Sequence, residues 1–317
     1  DWLVKKIIKM GGTISFYDYM NFVLNDPING YYGSGKAKLG VRGDFVTSSS
    51  LSDDFAFLVG RQIEEWLIQF KSIFLSNQKL AVIEFGAGNG SFMSGLIKYL
   101  LGSSKNFLKG VSFIIIEPNK GMVEKQKNKL EDFLNLGIDI LWKGLEEIEE
   151  NNINGIVIAN EVLDALPVER ITFSKEKLFR QAVSIDKESD RLSLDEMPIT
   201  SELEKSIELA KSELGITIPP KDALEGWTTE WHVDNSEWLK ALYGKINNGI
   251  LLIIDYAKEA EKYYTSRNSD GTIVAYKNQK MIPDVLDSPG NCDLTSHVCV
   301  ETLINDAETL GFDTVGI

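Results

Sequence analysis

Two short stretches carry residues whose types and spacing can do chemistry. Residues 82–92 read VIEFGAGNGSF and residues 159–167 read ANEVLDALP. In the first, Gly86, Ala87, Gly88 and Gly90 follow an apolar run and an acid. Such a loop suits close approach of backbone to a ligand, because glycine permits the tight turn and has no Cβ to clash. The spacing is G-x-G-x-G, so the third glycine of a dinucleotide fingerprint falls on Ser91, which disfavours NAD and FAD. No Gly-Lys-Ser/Thr follows, which disfavours an ATP or GTP loop. Glu84 lies two residues before the first glycine, where a carboxylate suits a cationic amino-acid nucleoside better than an anionic dinucleotide. Glu117, twenty-seven residues after Gly90 and followed by Pro118, can accept both ribose hydroxyls. S-adenosylmethionine is a ligand of that kind.

The second stretch ends another apolar run. Asn160 can orient a ligand amine or the substrate there. Glu161 and Asp164 are three residues apart, neighbours if the segment turns helically, and two such carboxylates can grip a guanidinium or ammonium group. Capping of a following helix is the plain alternative, and for Asp164 it is an even match. The candidate cofactor set is therefore Glu84, Gly86, Ala87, Gly88, Gly90, Glu117, Pro118 and Asn160. No metal and no covalent nucleophile is needed, because methyl transfer from a sulfonium starts from an activated donor.

These residues need a scaffold, and the periodicity supplies one. Strands are expected at 80–85, 111–117, 138–143, 155–160 and 249–256, alternating with helices at 91–101 and 121–136. Continuous apolar strands between amphipathic helices mean a parallel sheet covered on both faces, a Rossmann-like α/β fold. Such sheets bind ligands at the carboxyl ends of their strands, which is where both stretches fall. Before the sheet, residues 13–30 carry helical spacing closed by turn residues, and a second helix is expected at 52–74. The expected organisation is an N-terminal helical extension with an active-site loop over 1–79, a cofactor-binding core over 80–170 plus 249–317, and an inserted α+β substrate lobe over 171–248.

The chain of 317 residues is 43% hydrophobic and 25% charged, which fits a globular enzyme and not a disordered or coiled-coil protein. Its net charge of -14 disfavours nucleic acid and welcomes a cationic partner. Cys292 and Cys299 make neither a disulfide framework nor a zinc site. No apolar run approaches the ~20 residues of a membrane span, so no membrane insertion is expected. The start, DWLVKKIIKMGG, lacks a signal-peptide layout, although trimmed ends and a lost targeting peptide remain open.

With these residues in place, the chain resembles the MidA family of class I S-adenosylmethionine-dependent methyltransferases. The resemblance spans essentially the whole chain, through NGYYG, GDFVTS, EFGAGNG, ANEVLDALPVERI, LLIIDYA and SPGNCDLTSHV. It implies methylation of an arginine in a protein subunit during assembly of a respiratory, complex I or NDH-type, complex. The family's GDF-x-TS element maps onto Gly43, Asp44, Phe45, Thr47 and Ser48, and its DLT-x-HV element onto Asp293 to Val298. The implied location is the mitochondrial matrix in a eukaryote or the cytoplasm in a bacterium, and a homodimer stays open. On this reading Asp44, Glu161 and Asp164 hold the guanidinium, and His297 accepts a proton or closes over the site. His232 is the weaker histidine. The chain departs from the family where Ser49-Ser50 replace Pro-Glu, and where no histidine follows Gly271-Thr272. A small-molecule methyltransferase and a noncatalytic assembly chaperone are the rival readings, and a nicotinamide oxidoreductase is a distant third.

Overall fold

The computed structural model describes residues 2–40, 43–44, 52–73, 79–103, 108–186 and 191–317. The first helix, α1 (Trp2–Lys9), buries Leu3 and Ile7. The stretch 13–30 is not helical from its start. Thr13–Ser15 forms a strand, β1, and α2 (Phe16–Asn25) begins where the Ser15 hydroxyl accepts the Asp18 N–H at 3.0 Å. That cap satisfies one of the amides a helix start leaves unpaired, which fixes the boundary. The next described helix, α3 (Asp53–Ile73), buries Ala56, Gly60, Ile63 and Leu67 on one stripe.

From Leu80 the chain alternates strand and helix. It runs β2 (Leu80–Phe85), α4 (Ser91–Ser103), β3 (Val111–Ile116), α5 (Lys120–Asn135), β4 (Ile140–Lys143) and β5 (Ile153–Asn160). Much later β10 (Ile246–Ile254) returns to pair in parallel with β5, and the sheet order is β10-β5-β2-β3-β4. Alternation sends Leu80 and Val82 toward α3 and α4, in a cluster with Ile63, Leu67, Leu96 and Leu100. Ile83 and Phe85 go to the other face, with Leu242 and Val157. Both faces are covered, as an all-parallel sheet requires. Strand order reverses at β2, so the carboxyl ends of β2 and β5 diverge into a crevice.

Between β5 and β10 a second sheet forms from β6 (Glu169–Ser174), β7 (Lys177–Ile185), β8 (Leu192–Pro198) and β9 (Thr228–Trp231), all antiparallel, with β1 as a fifth strand on β7. A helix, α6 (Ser201–Leu214), packs Leu203 and Ile207 beside Trp227 and Trp231.

Packing redraws the expected boundaries at three places. The helix α7 (Asp234–Tyr243), expected inside the insertion, lies on the first sheet, where Trp238 meets the Phe85 ring edge-on at 5.3 Å and Leu242 joins Ile83 and Val157. A parallel return to β5 needs such a crossover helix, so α7 belongs with β10. The N-terminal extension divides: α3 packs on the core, whereas α1 and α2 share a cluster with Val183 of the second sheet. Residues 274–295 join that same cluster through Ala275 and Leu294.

Candidate active site

The crevice at the carboxyl ends of β2, β3 and β5 opens into a cavity of about 840 Å³. Gly86, Gly88 and Gly90 all take left-handed backbone, with φ of 55°, 52° and 82°, a conformation that side chains disfavour. A Cβ at Gly88 would stand 2.7 Å from Leu39 Cδ1, so the N-terminal segment closes directly over this loop. Asn25, Tyr32 and Leu39 of that segment line the cavity together with the glycines.

Of the expected cofactor residues, Glu84, Gly86, Ala87, Gly88, Glu117, Pro118 and Asn160 line the cavity. Gly90 does not. Its role is local, because its left-handed φ of 82° turns the loop into α4, with the Gln126 backbone in van der Waals contact beside it. Glu84 is 3% exposed, and burial together with the nearby Glu117 carboxylate pushes its pKa up to about 8. Burial also raises Glu117, while the Asn119 N–H and the Gln126 amide oppose the rise by donating to its two oxygens at 2.9 Å each. Gln126 is fully buried and was not singled out from the sequence. Its Nε2 also donates to the Gly88 carbonyl at 3.0 Å, and its Oε1 accepts the Trp142 indole N–H at 3.0 Å. One amide thus ties the glycine loop, the acid after β3 and the strand β4 together.

The acceptor side is built on the turn after β5. Glu161 takes left-handed backbone, φ 51°, with its N–H donating to the Ile254 carbonyl at 2.8 Å. A glutamate in that region is strained by roughly 1–2 kcal/mol, and such positions gather at functional sites. The next three amides, of Val162, Leu163 and Asp164, all point at one oxygen of Asp255, at 3.2, 2.9 and 3.3 Å. Asp255 follows β10 and was also missed. Its only signal was an acid at the end of the fifth strand. Glu161 and Asp164 both line the cavity, and burial with the Asp255, Asp293 and Glu161 charges raises Asp164 well above the ordinary carboxylate range.

Asp44 and His297, expected beside them, do not line the cavity. The Asp44 carboxylate accepts the Tyr31 hydroxyl and the Asn278 N–H, both at 3.0 Å, and its carbonyl accepts the Gln279 N–H. These bonds fasten the N-terminal segment to a hairpin turn. His297 is half-buried and donates its backbone N–H to Thr272. His232 is partly buried, its Nε2 3.2 Å from the Ser296 hydroxyl, and desolvation of the ring lowers its pKa to about 4. Phe45, Thr47, Ser48 and the Ser49-Ser50 departure lie outside the described residues. Asp293, which the motif named without a role, does line the cavity, is 1% exposed, and accepts the Tyr32 hydroxyl at 2.8 Å.

Six carboxylates line this cavity, Glu84, Glu117, Glu146, Glu161, Asp164 and Asp293, against one lysine, Lys120, among the described residues. Three buried oxygens of its lining residues have no hydrogen-bond partner: Glu84 Oε2, Asn160 Oδ1 and Asp164 Oδ1. Buried acceptors left unpaired are costly, so the site is made to be filled by donors. A sulfonium nucleoside carrying an ammonium group supplies that charge and those donors.

The family comparison decides the class. Residues 58–317 match the family described as "Putative S-adenosyl-L-methionine-dependent methyltransferase". The chain belongs to this family. A Caenorhabditis elegans relative named protein arginine methyltransferase NDUFAF7 homolog, mitochondrial, is 26% identical over 96% of this chain and 71% of its own length. The zebrafish, Danio rerio, protein arginine methyltransferase NDUFAF7, mitochondrial, is 28% identical over 93% of this chain and 68% of its own. Among solved structures, a Burkholderia thailandensis protein with S-adenosylhomocysteine bound superposes with a TM-score of 0.83 at 28% identity, covering 99% of this chain and 76% of that one. The family member described here is an S-adenosylmethionine-dependent methyltransferase with an α/β fold and a parallel sheet. No described helix is long and apolar enough to cross a membrane.

Proposed function

We propose that this methyltransferase acts on an arginine side chain of a protein, and that its product serves assembly of a respiratory complex of the complex I or NDH type. The observation that carries the reading is the acidic wall itself. After one carboxylate has met the cofactor's ammonium group and another its ribose, four remain: Glu146 after β4, Glu161 and Asp164 after β5, and Asp293 on the strand that lies against their turn. Carboxylates facing an open cavity suit a planar cation with several N–H donors, which is what a guanidinium offers. The arginine methyltransferase names of the relatives support the same acceptor.

In this reading Glu84 holds the ammonium group of S-adenosylmethionine, Glu117 its ribose hydroxyls, and the loop from Gly86 to Gly88 its backbone-facing edge. The bound cofactor supplies an electrophilic methyl group on sulfur. Asn160 orients the ligand amine, while Glu161 and Asp164 hold the guanidinium so that one nitrogen points at the methyl. Leu39 and Tyr32 exclude water from above. The residues 169–231 form the surface that receives the substrate protein, in the mitochondrial matrix for a eukaryotic chain and the cytoplasm for a bacterial one.

The test uses methyl-tritiated S-adenosylmethionine and two random peptide pools, one with arginine fixed at its centre and one with lysine. Label recovered as methylarginine after acid hydrolysis is the expected result. Label in the lysine pool alone, or none in either pool from a protein that binds S-adenosylhomocysteine, refutes the arginine assignment.

A further inference from the structure

The acceptor wall contains a carboxylate that the sequence motif left without a role. Asp293 opens the strand Asp293–Thr295, which pairs with Val274–Lys277 and lies against the turn Leu163–Ala165 that carries Asp164. The Ser296 N–H donates to the Asp164 carbonyl at 2.9 Å, so the two segments are bonded together. The Tyr32 hydroxyl donates to Asp293 Oδ1 at 2.8 Å, and the Tyr32 ring stands edge-on to Tyr31 with centroids 5.0 Å apart. Asp164 Oδ1, buried in the same cavity, has no partner.

We propose that Asp293, oriented by the Tyr32 hydroxyl, forms with Asp164 the clasp for the acceptor guanidinium and takes the proton released by methyl transfer. This rests on the arginine reading above and replaces Asp44 with Asp293 in it. The acceptor nitrogen forms a bond to the methyl carbon as the carbon–sulfur bond breaks, and that electron pair stays on sulfur as a neutral thioether. The methylated guanidinium then carries one proton too many, and a carboxylate of Asp293 receives it. Charge is conserved: two cations become one, plus a neutralised acid.

The surroundings suit that task. Burial and the Asp44 charge push Asp293 up to about 7, against hydrogen bonds from Tyr32 and the Leu294 amide. A base with a pKa near the working pH is the efficient kind. The groups that face it are Tyr31 and Tyr32 from the segment after α2, Asp44 from the N-terminal loop, Asp164 from the turn after β5, its chain neighbour Cys292, and Tyr276 across the strand pair. Tyr32 stays protonated, because burial and the Asp293 charge hold its pKa well above the ordinary phenol value. It therefore remains a donor throughout and acts as a positioning residue.

The experiment has two readouts. The first titrates arginine amide into the protein saturated with S-adenosylhomocysteine, at pH 6.5 in two buffers of different ionisation enthalpy. Binding of the cation requires ionised carboxylates, so D293N is expected to release about one proton fewer than the wild type while holding S-adenosylhomocysteine within about twofold. The second follows kcat against pH on the arginine peptide pool. The wild type loses activity on an acid limb near pH 7, D293N loses at least ~100-fold in kcat, and Y32F keeps turnover with the limb displaced. D293E, which keeps the acid, recovers part of the loss and serves if D293N fails to fold. Equal proton release in D293N and wild type, an unimpaired kcat in D293N, or no binding of arginine amide overturns the inference. Proton release without methylarginine leaves the clasp standing and removes the protein-arginine reading; methylarginine with an unimpaired D293N does the reverse.

Discussion

Glu84 makes a binding prediction whose size follows from its burial. It stands on the central strand β2, level with Ile115 of β3 and Ile158 of β5 and 3% exposed, and its carboxyl is pushed up to about 8 by burial first and by the Glu117 charge second. Without ligand at pH 7 it is therefore mostly protonated. An ammonium ligand needs the ionised form, so binding below pH 8 must expel a proton. With a pKa of about 8 the ionised fraction is one half at pH 8 and about one hundredth at pH 6. Affinity for S-adenosylhomocysteine should then fall about 50-fold across that interval, or ~2.3 kcal/mol. The ligand's own amino group stays protonated throughout, so the slope belongs to the protein. Calorimetric titrations at pH 6, 7 and 8, each in two buffers, give both the affinity and the protons released. E84Q should abolish the slope and weaken binding at pH 8 by about 10- to 100-fold, the worth of a charge-assisted hydrogen bond. A dissociation constant in the wild type that stays flat from pH 8 to pH 6, with no proton release, would refute the pairing of Glu84 with the amine.

Three further outcomes follow from the packing. Q126L keeps the volume but strands the Trp142 indole N–H and frees Glu117; it should cost about 2–4 kcal/mol in urea unfolding and weaken S-adenosylhomocysteine about tenfold, and unchanged affinity in the folded variant would remove Gln126 from the site. Arg170 and Glu230 are 2% and 0% exposed with nitrogen and oxygen 3.4 Å apart, so R170M should lose about 3–5 kcal/mol, and the R170M/E230Q pair less than the sum of its parts, measured in a double-mutant cycle. His232 is held near pKa 4 by burial, below its ordinary 6.5. The unfolded chain binds that proton first, so stability should be intact above pH 6.5 and fall by about 1.4 kcal/mol per pH unit toward pH 4, a slope that H232Q removes from thermal melts.

The parallel sheet was legible because its strands are continuous apolar runs, and the glycine loop because three glycines at alternate positions have few uses other than left-handed turns. Their ends were less so. The strand expected at 249–256 runs from Ile246 to Ile254: the polar Asn247 and Asn248 hid its start, and Asp255 leaves the sheet at its end to accept three amides. Gln126 was invisible for a different reason. On α5 it reads as an ordinary polar position, and only tertiary packing turns it inward against Glu117 and Trp142. Asp44 was the opposite case. A motif acid in a glycine-rich loop looked like a ligand for substrate, but it lies off the cavity lining, where it holds Tyr31 to the turn at Asn278.

The two sides of the cavity are consequently held by different means. Most of the cofactor side is local in the chain: β2, its glycine loop, the acid after β3 and Gln126 all fall within residues 80–126, and Asn160 after β5 and Leu39 of the N-terminal segment complete it. The acceptor side joins three distant segments, Tyr32, Asp164 and Asp293, through single hydrogen bonds from Tyr32 to Asp293 and from Ser296 to the Asp164 carbonyl. Removing one bond there displaces a wall without touching the glycine loop. Damage to the second sheet, whose core cluster also holds Leu294 beside Asp293, should therefore abolish methyl transfer well before it abolishes cofactor binding. This separation makes S-adenosylhomocysteine affinity a sound control for every acceptor-side variant. It also means that a relative able to bind the cofactor need not have kept the reaction, since the two properties rest on different parts of the fold.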